Sequence, residues 1–171
     1  GLALAVAGVA LAAAAGLALV RRQLRPLREM AGTAHEGAQL PLAEGEALLG
    51  WLNASIHIEA AGEVDGNELL RGLVAKTRAA LTDIEIAHLK MTLVPSVEGG
   101  DIGVVNLVRS DGVAEISHSL KAPLAGGNLL INLRAEADPA VLQQSVLTAL
   151  AQAGCGAEVT NLQFFRPGRP T

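Results

Sequence analysis

The first twenty residues, Gly1–Val20, contain only glycine, alanine, valine and leucine, and this run constrains the chain more than any other feature. An α-helix of about twenty apolar residues spans the roughly 30 Å hydrocarbon core of a bilayer. Inside lipid the helix is required, because every backbone polar group must find its partner within the segment. We therefore predict a transmembrane helix over residues 1–22, with residues 1–20 in the membrane.

Four arginines follow the apolar run within eight residues: Arg21, Arg22, Arg25 and Arg28. A secretory signal places its positive charges before the apolar stretch, so this order argues against a cleaved signal. By the positive-inside rule the arginine side is cytoplasmic. The alternative that remains open is a buried, alanine-rich helix of a soluble protein.

The segment RRQLRPLREMAGTAHEGAQLPLAEGE (Arg21–Glu46) adds a proline, a helical LREMAGTA and an LPLAEGE connector to these arginines. It resembles the exit of the second membrane helix and the opening of the HAMP linker in bacterial sensor histidine kinases. The resemblance implies a signalling linker over residues 23–49 and a bacterial plasma membrane location, with the following domain in the cytoplasm. It ends near Glu46, where a strand pattern replaces the second HAMP helix. His35 lies inside the first linker helix and is not assigned the role of a phosphorylated histidine.

From Gly50 onward the pattern is that of alternating strands and helices. WLNASIHIEA (Trp51–Ala60) predicts a half-buried strand, because apolar and polar residues alternate along it. IAHLKMTLV and NLLINLRAEA alternate in the same way. The inward positions predicted for the three strands are Leu52, Ala54, Ile56, Ile58, Ala87, Leu89, Met91, Leu93, Leu129, Ile131, Leu133 and Ala135.

Two helices are predicted between these strands. The first, within VDGNELLRGLVAKTRAAL, carries an apolar stripe and offers Asp65 or Asn67 as its N-cap. The second, within DPAVLQQSVLTALAQAG, has Asp138 as N-cap, Pro139 at its first position and Gly154 as its stop. The order β-α-β-β-(β)-β-α-β predicts an α+β, ferredoxin-like domain over residues 50–171, with two split βαβ units on an antiparallel or mixed sheet.

The sheet face that the helices leave uncovered is the predicted location of function. We predict it as an interface, with the candidate residues Asn53, His57, Glu59, His88, Lys90, Asn132 and Arg134. Two histidines near carboxylates could form a metal or acid–base site. No H-x-x-x-H or H-x-H spacing is present, so a solvated or partner-covered face is favoured. We predict no metal ligand, no cofactor and no catalytic residue.

Several function classes lack their signatures in this chain. GLVAKT (Gly72–Thr77) has alanine where a P-loop requires its second glycine, and it falls inside a predicted helix. Cys155 is the single cysteine, so no intrachain disulfide and no cysteine-based zinc site can form. A net charge of −4 and only three aromatic residues argue against nucleic acid as a partner. Whether the chain is an enzyme stays open, with a non-catalytic role preferred.

The segments GWLNASIHIE, EIAHLKMTL, INLRAEADP and NLQFFRPGRPT together resemble the C-terminal region of CobW-type GTPases, the cobalamin-synthesis-protein family of metal chaperones. In that family the P-loop, the magnesium ligands and the cysteine metal motif belong to an N-terminal GTPase domain. None of these motifs can be matched here, so no functional residue carries over. The resemblance implies a regulatory or docking domain, with the missing GTPase domain as its protein partner.

The sequence therefore predicts a non-catalytic, membrane-tethered regulatory or partner-binding domain. The alternative is a fragment of a two-component sensor histidine kinase that lacks its kinase core. A join of two unrelated fragments between Glu46 and Gly50 also remains open, because both resemblances end there.

Overall fold

A computed structural model describes residues 48–97 and 99–168 of the chain. The predicted transmembrane helix and the linker before Leu48 lie outside these residues. In the part that is described, no helix has both the length and the hydropathy needed to cross a bilayer. The elements are β1 (Gly50–Val64), α1 (Gly66–Ala80), β2 (Ile86–Pro95), β3 (Gly103–Leu107), β4 (Glu115–His118), β5 (Leu124–Ala135), α2 (Pro139–Ala151) and β6 (Gly156–Phe165).

The six strands form one sheet in the order β4-β3-β2-β5-β1-β6, and every neighbouring pair is antiparallel. Strand β5 lies between β1 and β2, and β1 lies between β5 and β6. The units β1-α1-β2 and β5-α2-β6 therefore interlock, each inserting a strand into the other. The α+β class is confirmed, and the sheet is antiparallel rather than mixed.

The core lies between the helices and one face of the sheet. Leu52, Leu133, Leu89 and Leu107 occupy one cross-strand row through β1, β5, β2 and β3, and each is fully buried. The predicted inward positions of β1 and β5 are all buried. The alternation of apolar and polar residues predicted these positions correctly, because successive side chains of a strand point to opposite faces and the helices cover only one face.

Strand β2 departs from the predicted alternation at its start. Ile86 pairs with Ala135 and His88 pairs with Arg134, so Ala87 has no partner on β5 and forms a bulge. Ile86 is fully buried, whereas Ala87 is only half-buried. The inward position predicted for Ala87 is therefore wrong, because the extra residue shifts the period of the strand at this point.

Helix α1 begins at Asp65, whose carboxylate accepts hydrogen bonds from the backbone N–H groups of Asn67 (2.8 Å) and Glu68 (3.2 Å). Asn67 has another role: its side-chain amide donates to the carbonyl of Leu120 (2.8 Å) and accepts from the Leu120 N–H (2.9 Å). This pair of bonds attaches the β4–β5 loop to the start of the helix.

Helix α2 begins at Asp138, which accepts from the Ala140 N–H at 2.9 Å, and Pro139 is its first residue, as predicted. The helix ends at Ala151, and Gly154 follows with a φ of +77°. Glycine suits this left-handed conformation because it has no Cβ to clash with the neighbouring carbonyl.

Candidate functional site

The candidate site is the sheet surface opposite the helices, which we call the open face. It is formed by the side chains that alternate with the core residues along the strands. Its central members are Trp51, Asn53, Ser55, His57 and Glu59 of β1, Asn128, Leu130, Asn132 and Arg134 of β5, and His88, Lys90, Thr92 and Val94 of β2.

Three of the predicted interface residues form one cross-strand row. Asn53 pairs with Asn132, and Asn132 pairs with Lys90. The row continues through Asn106 on β3, whose side-chain amide donates to the Ser117 hydroxyl at 3.0 Å. Directly opposed residues of antiparallel strands have Cβ atoms about 5 Å apart, so these amides and the ammonium group lie within reach of one common ligand.

A neighbouring row places Arg134 and His88 beside Trp51. Trp51 pairs with Arg134 and with Phe165 of β6, and His88 pairs with Arg134 on its other side. The Arg134 Cζ atom lies 3.8 Å from the Trp51 ring centroid, which is a close cation–π contact. The Phe165 ring is 5.8 Å from the Trp51 ring, centroid to centroid, at an interplanar angle of 42°.

Trp51 was missed as a site residue by sequence reasoning, although the alternation of β1 places it on the same face as Asn53. Its contact with Arg134 depends on strand register, which the sequence does not show. The Trp51 indole N–H is buried and has no hydrogen-bond acceptor within reach. A buried tryptophan N–H usually finds an acceptor, so Trp51 departs from the common pattern.

His88 is a titratable group on this face whose pKa is shifted by its surroundings. Burial lowers its pKa, and the positive charges of Arg134 and then Lys90 lower the pKa further. The neutral imidazole is therefore favoured over the imidazolium at this position. A neutral histidine both donates and accepts a hydrogen bond, which suits polar contacts with a partner.

His57 and Glu59 are separated from this cluster. Both lie on the open face, but His57 is six residues along β1 from Trp51, a separation of about 20 Å at the rise of a strand. The two histidines of the candidate set therefore cannot share a ligand. Throughout residues 48–97 and 99–168, no group of three or more His, Cys, Asp or Glu side chains is placed to hold a metal ion.

The middle of the open face is apolar. Leu130, Thr92 and Val104 form a cross-strand row in which each side chain is less than one-tenth exposed, and Val94 lies beside this row. This row could not be predicted from alternation, because Leu130 lies within the continuous apolar run LLI, where both faces of the strand carry hydrophobic residues. The open face thus combines a largely apolar band that is already buried with a polar and cationic end.

The remaining chemical candidates serve structural roles or lie elsewhere. GLVAKT lies within α1, so its backbone N–H groups belong to a helix rather than to a phosphate-binding loop. Burial raises the pKa of the Cys155 thiol, which disfavours the reactive thiolate. A cleft of about 730 Å³ at the end of α1 includes Ser110, but that hydroxyl accepts from the Ile86 N–H (2.6 Å) and donates to the Ile84 carbonyl (2.9 Å).

Comparison with known proteins adds no identification: no protein-family model, no curated protein and no solved structure matches this chain.

Proposed function

We propose that residues 50–171 form a non-catalytic regulatory or docking domain that binds a protein partner through the open face. The observation that carries this proposal is the stack of Arg134 on Trp51, flanked by Phe165. Tryptophan and arginine are enriched among the residues that dominate binding energy at protein interfaces. An arginine held against an indole ring presents a large contact area with little conformational freedom left to lose.

The neighbouring polar row specifies the chemistry of the partner. Lys90 contributes a positive charge beside the amides of Asn53 and Asn132. This arrangement favours a partner surface that presents carboxylates or backbone carbonyls around an apolar contact. The Phe165 side chain, which is 42% exposed, would meet the apolar part of that surface.

We assign the domain to the ferredoxin-like plan, with the β3–β4 hairpin as an addition at the outer edge of β2. The order β6-β1-β5-β2, with α1 and α2 as the two crossovers, supports this assignment. In this plan the helices cover one face of the sheet and leave the other available, which is where we place the partner.

We propose further that residues 1–20 tether this domain to the bacterial plasma membrane, on the cytoplasmic side. The apolar run and the arginines after it support the tether. Within this proposal the domain acts as the accessory C-terminal domain of a CobW-type GTPase, and its partner is the GTPase domain. A fragment of a sensor histidine kinase is the second candidate, supported by the pattern of Arg21–Glu46.

The proposal is tested by reversing one charge on the open face. A protein captured by the wild-type chain from its source cells is purified and titrated calorimetrically with wild-type and Lys90→Glu chains. We expect Lys90→Glu to raise the dissociation constant at least tenfold, because the new carboxylate would face an acidic or carbonyl-rich surface. Arg71→Glu, the same charge change on α1, is the matched control and is expected to bind within about twofold of wild type.

Equal weakening by the two variants would contradict an open-face interface. The non-catalytic part of the proposal has its own test, which is titration of the chain with GTP–Mg²⁺ and with Zn²⁺. Saturable binding of either one to the isolated chain would contradict it.

A further inference from the structure

The two edges of the sheet are protected to different degrees. At one edge β4 has only four residues, and it carries Glu115 and His118. At the other edge β6 has ten residues, no proline and a single charge, Glu158. Short, charged edges resist pairing with other chains, whereas long uncharged edges invite it. Among the described elements, β6 is therefore the edge that is open to a further strand.

The exposure of β6 agrees with an open edge. Every residue of the strand except Leu162 is exposed, including Val159 (37%), Phe164 (40%) and Phe165 (42%). Large apolar side chains on both faces of an edge strand would be buried further by a strand added alongside. Leu162 already packs partly against the core, so the edge continues the hydrophobic layer of the domain.

A bulge divides β6 into two parts. The register against β1 shifts between Ser55 and Ile56, which pair with Asn161 and Val159, so Thr160 is the extra residue. Its hydroxyl donates to the Ser55 carbonyl at 2.9 Å and holds the bulge in place. A bulge interrupts pairing on the outer side too, so regular pairing at this edge is available over Asn161–Phe165.

We propose that two copies of this chain associate through β6, with the Asn161–Phe165 segments pairing antiparallel about a two-fold axis through Gln163. This register pairs Gln163 with itself, Leu162 with Phe164 and Asn161 with Phe165, and it keeps both bulges outside the interface. It is isologous, as most homodimer interfaces are. The proposal rests on the edge of the sheet and is independent of what the open face binds.

The Asn161–Phe165 segment is chemically suited to pairing with the same segment of a second copy. It carries no charge, so antiparallel self-pairing brings no like charges together. On the helix side of the sheet, Leu162 meets Phe164 twice, which buries apolar surface that each copy alone exposes. An axis perpendicular to the sheet also places both open faces on the same side, so the two faces form one continuous surface. A pairing of five residues is small, and we expect a dimer whose population depends on concentration.

The test uses a cysteine at the proposed axis in the full 171-residue chain, with Cys155 replaced by serine. Gln163→Cys would place the two Cα atoms about 4.5–5.5 Å apart, within the range of a disulfide. Gln144→Cys, an exposed position on α2, is the matched control. Under mild oxidation we expect the Gln163→Cys chain to form covalent dimer at least tenfold faster than the control, measured on non-reducing gels.

A second variant tests the register and separates this interface from any association through residues 1–20. Phe164→Lys in the Gln163→Cys chain removes both apolar pairs and should slow cross-linking about tenfold. Val141→Lys on α2 should leave the rate unchanged. Equal cross-linking of Gln163→Cys and Gln144→Cys, or no effect of Phe164→Lys, would overturn the proposal. Circular dichroism confirms that each variant is folded, and sedimentation of the unmodified chain, which should show a concentration-dependent dimer, provides a measurement that needs no substitution.

Discussion

His88 shows how a single position on the open face is shaped by residues that are distant in sequence. Its pKa is lowered by burial first, and then by the charges of Arg134 and Lys90. Arg134 reaches it across the β2–β5 pairing and not along the chain. An isolated histidine in a strand pattern says nothing of such neighbours, so its electrostatics could not be predicted from sequence.

The lowered pKa makes the stability of the fold depend on pH. An unfolded histidine titrates near 6.5, so below that pH the unfolded state binds more protons than the folded state. The contribution of His88 is therefore fully present above about pH 6.5 and is lost as the pH falls through the folded pKa. We expect wild type to lose more unfolding free energy than His88→Gln between pH 7.5 and pH 5.5, measured by urea denaturation.

A related variant indicates the cause of this dependence. Lys90→Gln removes one of the two cations but leaves burial and Arg134 in place, so it should reduce the pH dependence without abolishing it. If wild type and His88→Gln lost the same free energy over this interval, the depressed pKa would be wrong.

At the scale of single elements, hydrophobic period identified the strands and capping residues identified the helices. Helix α1 shows the limit of that reasoning, because Asp65 and Asn67 were equally available as its N-cap. Asp65 serves as the cap, while Asn67 bonds to Leu120, which is 53 residues away. Local chemistry could name the two candidates, but the tertiary contact of one of them decided between them.

The cap of α1 gives a prediction about stability. Asp65→Ala removes the acceptor for two backbone N–H groups and should lower the unfolding free energy by about 1 kcal/mol. Asp65→Asn keeps an acceptor oxygen at the same place and should cost only a few tenths of that amount, since asparagine is also a favoured N-cap. Chemical denaturation of the two variants measures the difference. Equal losses would show that the charge of Asp65, rather than its hydrogen bonds, stabilises the helix start.

In strand β2 the alternation of apolar and polar residues predicted one inward position wrongly. The bulge at Ala87 moves Ile86 to the inward position, and no residue in DIEIAHLK (Asp83–Lys90) indicates it. A bulge depends on how a strand fits its neighbour, because the extra residue is defined only by the register of the pair. The row through Leu130 was not predicted for a different reason. A continuous apolar run has no alternation of apolar and polar residues from which the two faces of the strand could be assigned.

For the whole molecule, the interlocking of the two β-α-β units decides which side chains meet. Asn53, Asn132 and Lys90 come together because β5 lies between β1 and β2, and His57 is separated from His88 by the same arrangement. The sequence order of the elements predicted two such units. The order of the elements did not determine the strand register, which brings five of the seven candidate residues together in one cluster.

The proposed tether is tested on the whole chain. Deletion of residues 1–22 should move the protein from the membrane fraction to the soluble fraction after ultracentrifugation, because the apolar run before Arg21 would be removed. The matched control is a deletion of the same length within residues 23–46, which retains that run and should leave partitioning unchanged. An intact chain recovered entirely in the soluble fraction would contradict the tether.

From the sequence alone follow the α+β class, the N-cap of α2, and the inward faces of β1 and β5, because periodicity and capping are local properties of the chain. The Trp51–Arg134 stack, the depressed pKa of His88 and the exposed edge of β6 were decided by the tertiary structure. Each of these depends on strand order and register, and those are set by how distant segments pack rather than by any short stretch of residues.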